Sequence, residues 1–382
     1  MKIAVLIRNF KRNGGGAERY CVELSERLSK ENEVHVFSQS YEKTSSSITF
    51  HKISKFLDKP RFINQLFFSF LTKKATRGKF DIIHSHEMVS EADIYTIHVP
   101  CFKSIWIDKT RFRRLLSYLN TILSPRKISY LLLEKKQMQS KSYKQYISVS
   151  DYLSQNIIQC YPEIKKISTA SPASSYDLNL ISKKLITAED LKNKLSIPQD
   201  SFLMLLVANN FKKKGLPTVI ESLDILKNKK IHLIVAGSDK YKNKSISKHL
   251  KNNIHFLGVV KEMSNIYSQV DLLIHPTLAD TFGMAPLEAM SHKVPVIISD
   301  LNYCGFSEYL SENHALILDD PRDTIELASK ISILYLNPDT RDSIAQKGYE
   351  LSKTISWDET LKNTLEVFNL FIKNTAKTKD NE

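Results

Sequence analysis

The chain has 382 residues, 42% hydrophobic and 25% charged, which suits buried globular cores and excludes a disordered or fibrous class. No apolar run approaches the ~18 residues that cross a bilayer, and the run Ile3–Ile7 is too short for a signal peptide, so a cytoplasmic location is expected. Lys and Arg number 55 against 41 Asp and Glu, a net charge of +14 that calls for an acidic partner: anionic lipid, a phosphorylated substrate or nucleic acid. The four cysteines (Cys21, Cys101, Cys160 and Cys304) are scattered and form no C-x-x-C pair, so neither a disulfide framework nor a zinc site is indicated.

Lys2 to Ile7 reads as a first strand, followed by a loop that ends in Gly14-Gly15-Gly16. Ala17, Tyr20, Cys21, Leu24 and Leu28 then recur at helical spacing, which predicts a helix to about Lys30. Glycines between a strand and a helix let backbone N–H groups approach a ligand, although the spacing matches neither G-x-G-x-x-G nor the P-loop. Val34–Phe37, Ile48–Ile53, Asp81–His86, Asp93–Val99 and Tyr146–Ser150 continue the strand series, with helical stretches between several of them. His84, His86 and His98 fall at or near strand ends; without an acidic partner at helical spacing they do not read as a metal site, and His98 is placed in a cleft.

Two segments of this half are basic and aromatic. Residues 61–79 carry Phe62, Leu66, Phe67, Phe70 and Leu71 on one helical stripe, with five basic residues and no acidic one. Residues 103–144 carry Lys103, Lys109, Arg111, Arg113, Arg114, Arg126, Lys127, Lys135, Lys136, Lys141 and Lys144 against only Asp108 and Glu134. Such patterns suit a helix lying on an anionic membrane surface, and equally a core helix with a solvated basic face.

Residues 168–177, rich in Ser, Ala and Pro, look like an interdomain connection, and Thr187–Asp190 like the N-cap of a short helix ended by Pro198. A second strand–helix series follows, with strands expected at 202–208, 231–236, 254–257, 271–275, 294–298 and 315–318. Two such series imply two Rossmann-like α/β domains with mostly parallel sheets. The most informative stretch is Asp271–Ser299, a strand–loop–helix–strand unit with Pro286 suited to the helix's first turn. Two carboxylates stand there, Asp280 in the loop and Glu288 just inside the helix, eight positions apart. N–H groups near Gly283 and Met284 would favour a diphosphate, leaving the carboxylates to bond hydroxyls. A final amphipathic helix is expected from about Glu359 to Ile372.

Taken together, GGGAERYCVELSERL, DIIHSH, YTIHVPC, NNFKKKGLPTVIESL, IHLIVAGS, NIHFLGVVKEMSNIYSQVDLLIHPT, DTFGMAPLEAM and ISWDET resemble the family-4 retaining glycosyltransferases over nearly the whole chain. Among these the chain is nearest in look to hexosyltransferases of lipopolysaccharide-core or other surface-glycan assembly. The resemblance implies the GT-B architecture: two facing Rossmann-like domains, residues 1–170 for the acceptor and 171–356 for the nucleotide-sugar donor. A C-terminal helix, about 357–376, would cross back to the first domain.

The same resemblance assigns roles. Glu288 matches the second acid of the family's E-x7-E motif and would bind the ribose, while Asp280 takes the first acid's place near the transferred sugar. Lys214 would clamp the diphosphate and stabilise the leaving group. Gly15, Gly16, Phe282, Gly283 and Met284 would line the donor, and His98 matches the histidine beside the donor sugar. Asn209 stands where the family has an arginine, Asp280 replaces the usual Glu, Lys293 replaces a glycine, and the linker ASPASSYD lacks the usual turn.

The reading is a retaining transferase that moves a hexose from a nucleotide-diphosphate sugar, most simply a UDP-sugar, to a hydroxyl of a glycan or lipid-linked acceptor. Neither metal nor other cofactor is expected, because Lys214 would supply the positive charge. With no recognised motif beside the basic charge, nucleic acid is not expected as a partner. Two alternatives stand: a GT-B nucleotide-sugar 2-epimerase, and a catalytically silent GT-B protein that binds glycan or lipid.

Overall fold

A computed structural model of the protein describes residues 1–12, 14–44, 47–107, 120–139, 144–174, 190–238 and 246–379. The chain forms two compact units, Met1–Pro172 joined by Trp357–Glu382, and Ala173–Ser356.

The first unit contains β1 (Lys2–Leu6), β2 (Asn9–Phe10), β3 (Glu33–Ser38), β4 (Ser40–Tyr41), β5 (Ile48–Lys52), β6 (Ile82–Ser85), β7 (Ile94–Ile97), β8 (Gln145–Ser148) and β9 (Ser168–Thr169). Seven of these make one parallel sheet in the order β5-β3-β1-β6-β7-β8-β9, while β2 and β4 form a parallel pair of their own. Ile3, Ala4, Val5 and Leu6 are wholly buried, as a central parallel strand covered on both faces requires. The chain winds outward from β1 to β5, then returns to β6 and builds toward the other edge. Strand order therefore reverses between β1 and β6, where an open α/β sheet leaves a crevice at the strands' carboxyl ends.

The last helix, Trp357–Lys379, belongs to this unit. Trp357 packs edge-on against Tyr20 at 5.5 Å with the Arg27 guanidinium over its ring, and Phe368 meets His84. Thr360 donates to the Ser171 carbonyl at 2.6 Å, so the chain's return is fixed by packing and by hydrogen bonding.

Helix Arg61–Thr76 turns its apolar stripe away from the core, unlike a core helix with a solvated basic face. Its buried face is Asn64, Gln65, Phe68, Ser69, Thr72 and Thr76, while Leu66 and Phe70 are exposed and Phe62, Phe67 and Leu71 half-buried. The polar face is satisfied internally: Asn64 pairs with Gln39, Gln65 donates to the Met88 carbonyl, and Ser69 meets Ser90. In the second basic segment, the turn Phe102–Trp106 and helix Pro125–Met138 are described. Lys109, Arg111, Arg113, Arg114 and Lys141 lie outside the described residues.

The second unit contains β10 (Phe202–Val207), β11 (Ile231–Ala236), β12 (Ile254–Gly258), β13 (Leu272–His275), β14 (Val296–Ser299) and β15 (Leu316–Leu318). They form a parallel sheet in the order β12-β11-β10-β13-β14-β15, reversing between β10 and β13. Met204, Leu206, Leu233, Val235, Leu272 and Ile274 share its core with Leu216, Val219 and Leu223 of helix Leu216–Leu226 and with Leu327 and Ile331 of helix Thr324–Leu336. Asp190 caps helix Leu191–Lys194 through the Lys192 N–H; Thr187–Glu189 lie outside the described residues.

Lys293, which stands where the family has glycine, adopts φ +57° just after helix Met284–Ser291. That is the left-handed position at which helices commonly end on glycine. The lysine keeps the turn, with its ammonium 5.0 Å from the Tyr349 ring centre.

Candidate active site

In the second unit, the site grows from the two loops that leave β10 and β13 at the reversal of strand order. The first, residues 208–215, carries Lys212-Lys213-Lys214 and ends at Gly215, the N-cap of helix Leu216–Leu226. Gly215 has φ +78°, and a Cβ there would sit 2.1 Å from the Pro276 carbonyl oxygen. Only glycine lets this loop lie against the end of β13. The Leu278 N–H donates to the Lys213 carbonyl at 2.8 Å, lacing the two loops together.

This closeness brings Lys214 onto Asp280: the ammonium donates to carboxylate Oδ2, both side chains being 21% exposed. His275, the last residue of β13 and fully buried, places Nε2 3.1 Å from the same oxygen. Burial alone would raise the Asp280 carboxyl, but the Lys214 charge and the His275 contact overrule it and hold it well below the usual carboxylate range. A carboxylate can only accept, so His275 carries its proton on Nε2. Burial and the Lys214 charge keep that imidazole neutral, Asp280 opposing them.

The Asp280 loop is held from the other side by residues 303–306. Asp280 N–H donates to the Tyr303 carbonyl at 2.7 Å, Gly305 N–H to the Asp280 carbonyl at 3.0 Å, and Phe306 N–H to the Phe282 carbonyl at 2.6 Å. Cys304 Sγ donates to the Phe282 carbonyl at 3.2 Å; burial pushes this thiol's pKa up, and Asp280 beside it adds to the effect. Gly283 has φ +105°, and a Cβ there would come within 2.7 Å of Cys304 Sγ. That conformation caps helix Met284–Ser291, with Pro286 inside its first turn as expected. His275, Asp280 and Cys304 each bring a ligand-type atom within 4.8 Å of the others, a donor set a divalent ion could use were Lys214 not already on Asp280.

One turn into the helix, Glu288 is buried and accepts from the Tyr267 hydroxyl at 3.0 Å. His292 donates from Nδ1 to the Glu288 carbonyl at 2.7 Å and packs its ring, tilted, against Tyr267 at 5.1 Å, leaving Nε2 to accept from Ser264 at 2.8 Å. Asn209, also in the first loop, is exposed.

In the first unit, Gly15 caps helix Gly16–Leu28; its N–H donates to Glu18, and a Cβ on Gly16 would meet nothing within 4 Å. Arg12 holds the loop before the glycines through Glu23 and Glu26 of that helix. At the β1/β6 reversal, Arg8 pairs with Glu87 at 3.0 Å. Both line a cleft of about 200 Å³ together with His86, His98, Gln65 and Tyr130. His98 therefore stands in a cleft, as the sequence leads one to expect. It contacts His86 (Nε2 to Nδ1, 3.0 Å) and lies edge-on to Tyr20 at 5.0 Å, while His84 bonds Thr96 at 2.7 Å. Burial lowers His84 and His98 to about 3, with the His98 charge adding to the effect at His84; His86 is lowered as well, by burial and by both neighbours.

Two family models match this architecture, one per half: "Glycosyltransferase Family 4" over residues 14–172 and "Glycosyl transferases group 1" over residues 187–351. The chain belongs to the GT-B glycosyltransferases. Lipopolysaccharide glucosyltransferase WaaG of Escherichia coli (strain K12) is 29% identical over a stretch covering 35% of this chain and 37% of that protein. A crystal structure of WaaG, described as involved in lipopolysaccharide biosynthesis, aligns over 96% of this chain and 99% of its own with a TM-score of 0.77 at 18% identity. The uncharacterized glycosyltransferase MJ1607 of Methanocaldococcus jannaschii is 21% identical over 97% of this chain and 98% of its own. Anabaena Alr3699/HepE, crystallised with UDP-glucose, aligns over 99% of this chain and 100% of its own with a TM-score of 0.68 at 16% identity.

In this glycosyltransferase the structure gathers Lys214, Asp280, Phe282, Gly283, Met284 and Glu288 around adjacent loops of the second unit, and Gly15, Gly16 and His98 at strand ends of the first. The sequence alone gave His275, Tyr267 and Cys304 no role in this site. His275 closes an apolar strand and carried no separate signal; Tyr267 lies 21 residues before the carboxylate it holds.

The buried histidines of the first unit generate a pH prediction. They stay neutral when folded, whereas an unfolded histidine takes up a proton below pH ~6.5. Their contribution is complete above that value and is lost as pH falls toward about 3, the folded value of His84 and His98. Between pH 6.5 and 5, fully buried His84 should remove roughly 2 kcal/mol of stability, and buried His86 should act in the same direction. Melting temperature followed from pH 7.5 to 5 should fall steeply below 6.5; a flat profile would contradict the burial argument.

Proposed function

We propose that this glycosyltransferase is a retaining hexosyltransferase that uses a nucleotide-diphosphate sugar, with UDP-glucose as the first candidate donor. The acceptor would be a hydroxyl of a surface glycan or lipid-linked saccharide. The observation that carries the reading is the Lys214–Asp280 pair beside the helix of Glu288, at the reversal of strand order. A cation and a carboxylate on adjacent loops, with a buried second carboxylate on the helix that follows, are three groups that a diphosphate, a sugar and a ribose would call for. The UDP-glucose complex of HepE supports the donor class, and the WaaG resemblance supports a glycan acceptor.

In this mechanism Glu288 accepts from the ribose hydroxyls, held in place by Tyr267. Lys214 leaves Asp280 for the diphosphate and neutralises the charge that develops as the bond from sugar C1 to the phosphate oxygen breaks. The acceptor oxygen bonds C1 on the face the leaving group departs, and its proton passes to the released diphosphate. Lys214 thus takes the role a metal has elsewhere, and no dedicated base is needed. Asp280 holds sugar hydroxyls, and His98, with Gly15 and Gly16, acts from the first unit. Asn209 brings no charge where the family has arginine, which concentrates the load on Lys214.

Lys214→Ala should lower kcat by ~10²-fold or more while the protein stays folded. Steady-state kinetics with product anomer assigned by NMR tests this together with retention. Unchanged turnover would remove Lys214 from the mechanism, and an inverted anomer would overturn the retaining assignment. Release of free nucleotide and a 2-epimer without acceptor would instead identify an epimerase.

We also propose that the first unit attaches to anionic membrane through its basic segments, 61–79 and 103–144. Among the described residues no helix is long and apolar enough to cross a membrane. Instead, the inverted helix Arg61–Thr76 exposes Leu66 and Phe70, and the strand-to-helix loop before it exposes Phe56 and Leu57. Lys74 and Arg77 are exposed at the helix's far end, and Ile122, Leu123 and Leu132 are exposed in the second segment. Apolar side chains rimmed by cations suit a headgroup interface, where each basic residue contributes about 1 kcal/mol. Sedimentation with phosphatidylglycerol vesicles should capture the protein and release it with salt. Charge reversal at Lys74 and Arg77 should weaken capture about tenfold or more. Equal partitioning onto neutral vesicles would contradict the electrostatic attachment.

A further inference from the structure

The preceding three residues of β13, Leu272, Leu273 and Ile274, are aliphatic and wholly buried; the fourth is equally buried yet is a histidine. His275 Nε2–H meets Asp280 Oδ2 at 3.1 Å, and its other nitrogen, Nδ1, has no hydrogen-bond partner among the described residues. A buried acceptor without a partner is costly, and an aliphatic side chain would serve the strand better. Among the described residues, the one hydrogen-bonding contact of this ring is to Asp280.

We propose that His275 is the positioning residue for Asp280, its Nε2–H keeping Oδ2 in place when Lys214 turns from that carboxylate to the donor diphosphate. The inference rests on the donor-site reading above and adds to it the residue on which sugar recognition depends. Lys214 and His275 hold the same oxygen, Oδ2, and Oδ1 has no protein hydrogen bond among the described residues. The carboxylate is thus anchored by one oxygen and offers the other to a ligand. When the lysine leaves, His275 is the side chain among the described residues still bonded to the carboxylate; the loop's bonds to residues 303–306, Lys213 and Ser299 hold its backbone and not the Asp280 side chain. The imidazole is itself clamped: Gly283 would bring a Cβ within 3.7 Å of Nε2, and Ser299 donates to the His275 carbonyl at 3.3 Å.

A structural histidine and a positioning histidine differ in what their replacement moves. Calorimetric titration with UDP, and with whichever nucleotide sugar the wild-type protein binds most tightly, separates the nucleotide from the sugar end. His275→Leu should bind UDP like the wild type, bind the intact nucleotide sugar about tenfold more weakly, and melt no lower than the wild type. His275→Gln, whose amide N–H replaces Nε2–H, should recover most of the loss. Adding His275→Leu to Asp280→Asn should cost nothing beyond Asp280→Asn alone.

Unchanged nucleotide-sugar affinity in His275→Leu, an equal loss for UDP, a lowered melting temperature, or additive losses in the double variant would each overturn the inference. If the wild-type protein binds neither UDP nor any nucleotide sugar, the donor-site reading itself fails, and this inference with it.

Discussion

A lysine ammonium resting on a carboxylate, where two neighbouring parallel strands end, is the interaction on which the rest of the site depends. At contact, two unit charges attract by about 4 kcal/mol at the effective dielectric of a protein surface, and desolvation takes back much of that. With both side chains one-fifth exposed, the Lys214–Asp280 pair is worth little as a stabilising element. Its value lies in placement. It fixes an ammonium where two strands end, and it keeps Asp280 ionised in a nearly buried position. In the proposed mechanism a diphosphate draws the lysine away, and His275 remains bonded to Asp280.

The backbone around this pair is arranged so that the pair can form. Gly215 lets the lysine loop touch Pro276, Gly283 turns the carboxylate loop into a helix beside Cys304, and residues 303–306 lace that loop from behind. The first unit repeats the arrangement with different chemistry. Its sheet also reverses strand order, between β1 and β6, and there too a cation meets a carboxylate, Arg8 with Glu87. In both units the central parallel strands are buried on both faces, so polar groups gather where those strands end and loops begin.

Much of this was legible in the sequence. Apolar runs alternating with helical periods located the main strands to within a residue or two, most plainly the central ones, whose burial on both faces leaves few polar positions to blur them. The short strands β2, β4 and β9, of two residues each, have too little pattern to read. Asp280 and Glu288 stood out on their strand–loop–helix unit, and Lys214 through the family resemblance of its loop. The contacts of His275 and Tyr267 were not legible, because they run across a turn and between helices. Helix Arg61–Thr76 shows another limit: periodicity told which residues share a face, and only packing told that the apolar one points outward. Lys293 shows the reverse, since its φ of +57° explains in backbone terms why glycine is usual there.

Whether the charge pair opens for the donor can be seen in a crystal structure with an intact, non-hydrolysable nucleotide sugar. Lys214 Nζ should then lie on a diphosphate oxygen, Glu288 on the ribose hydroxyls, and Asp280 on the sugar while still bonded to His275. A nucleotide bound elsewhere, or one bound here with Lys214 still on Asp280, would contradict the proposed opening.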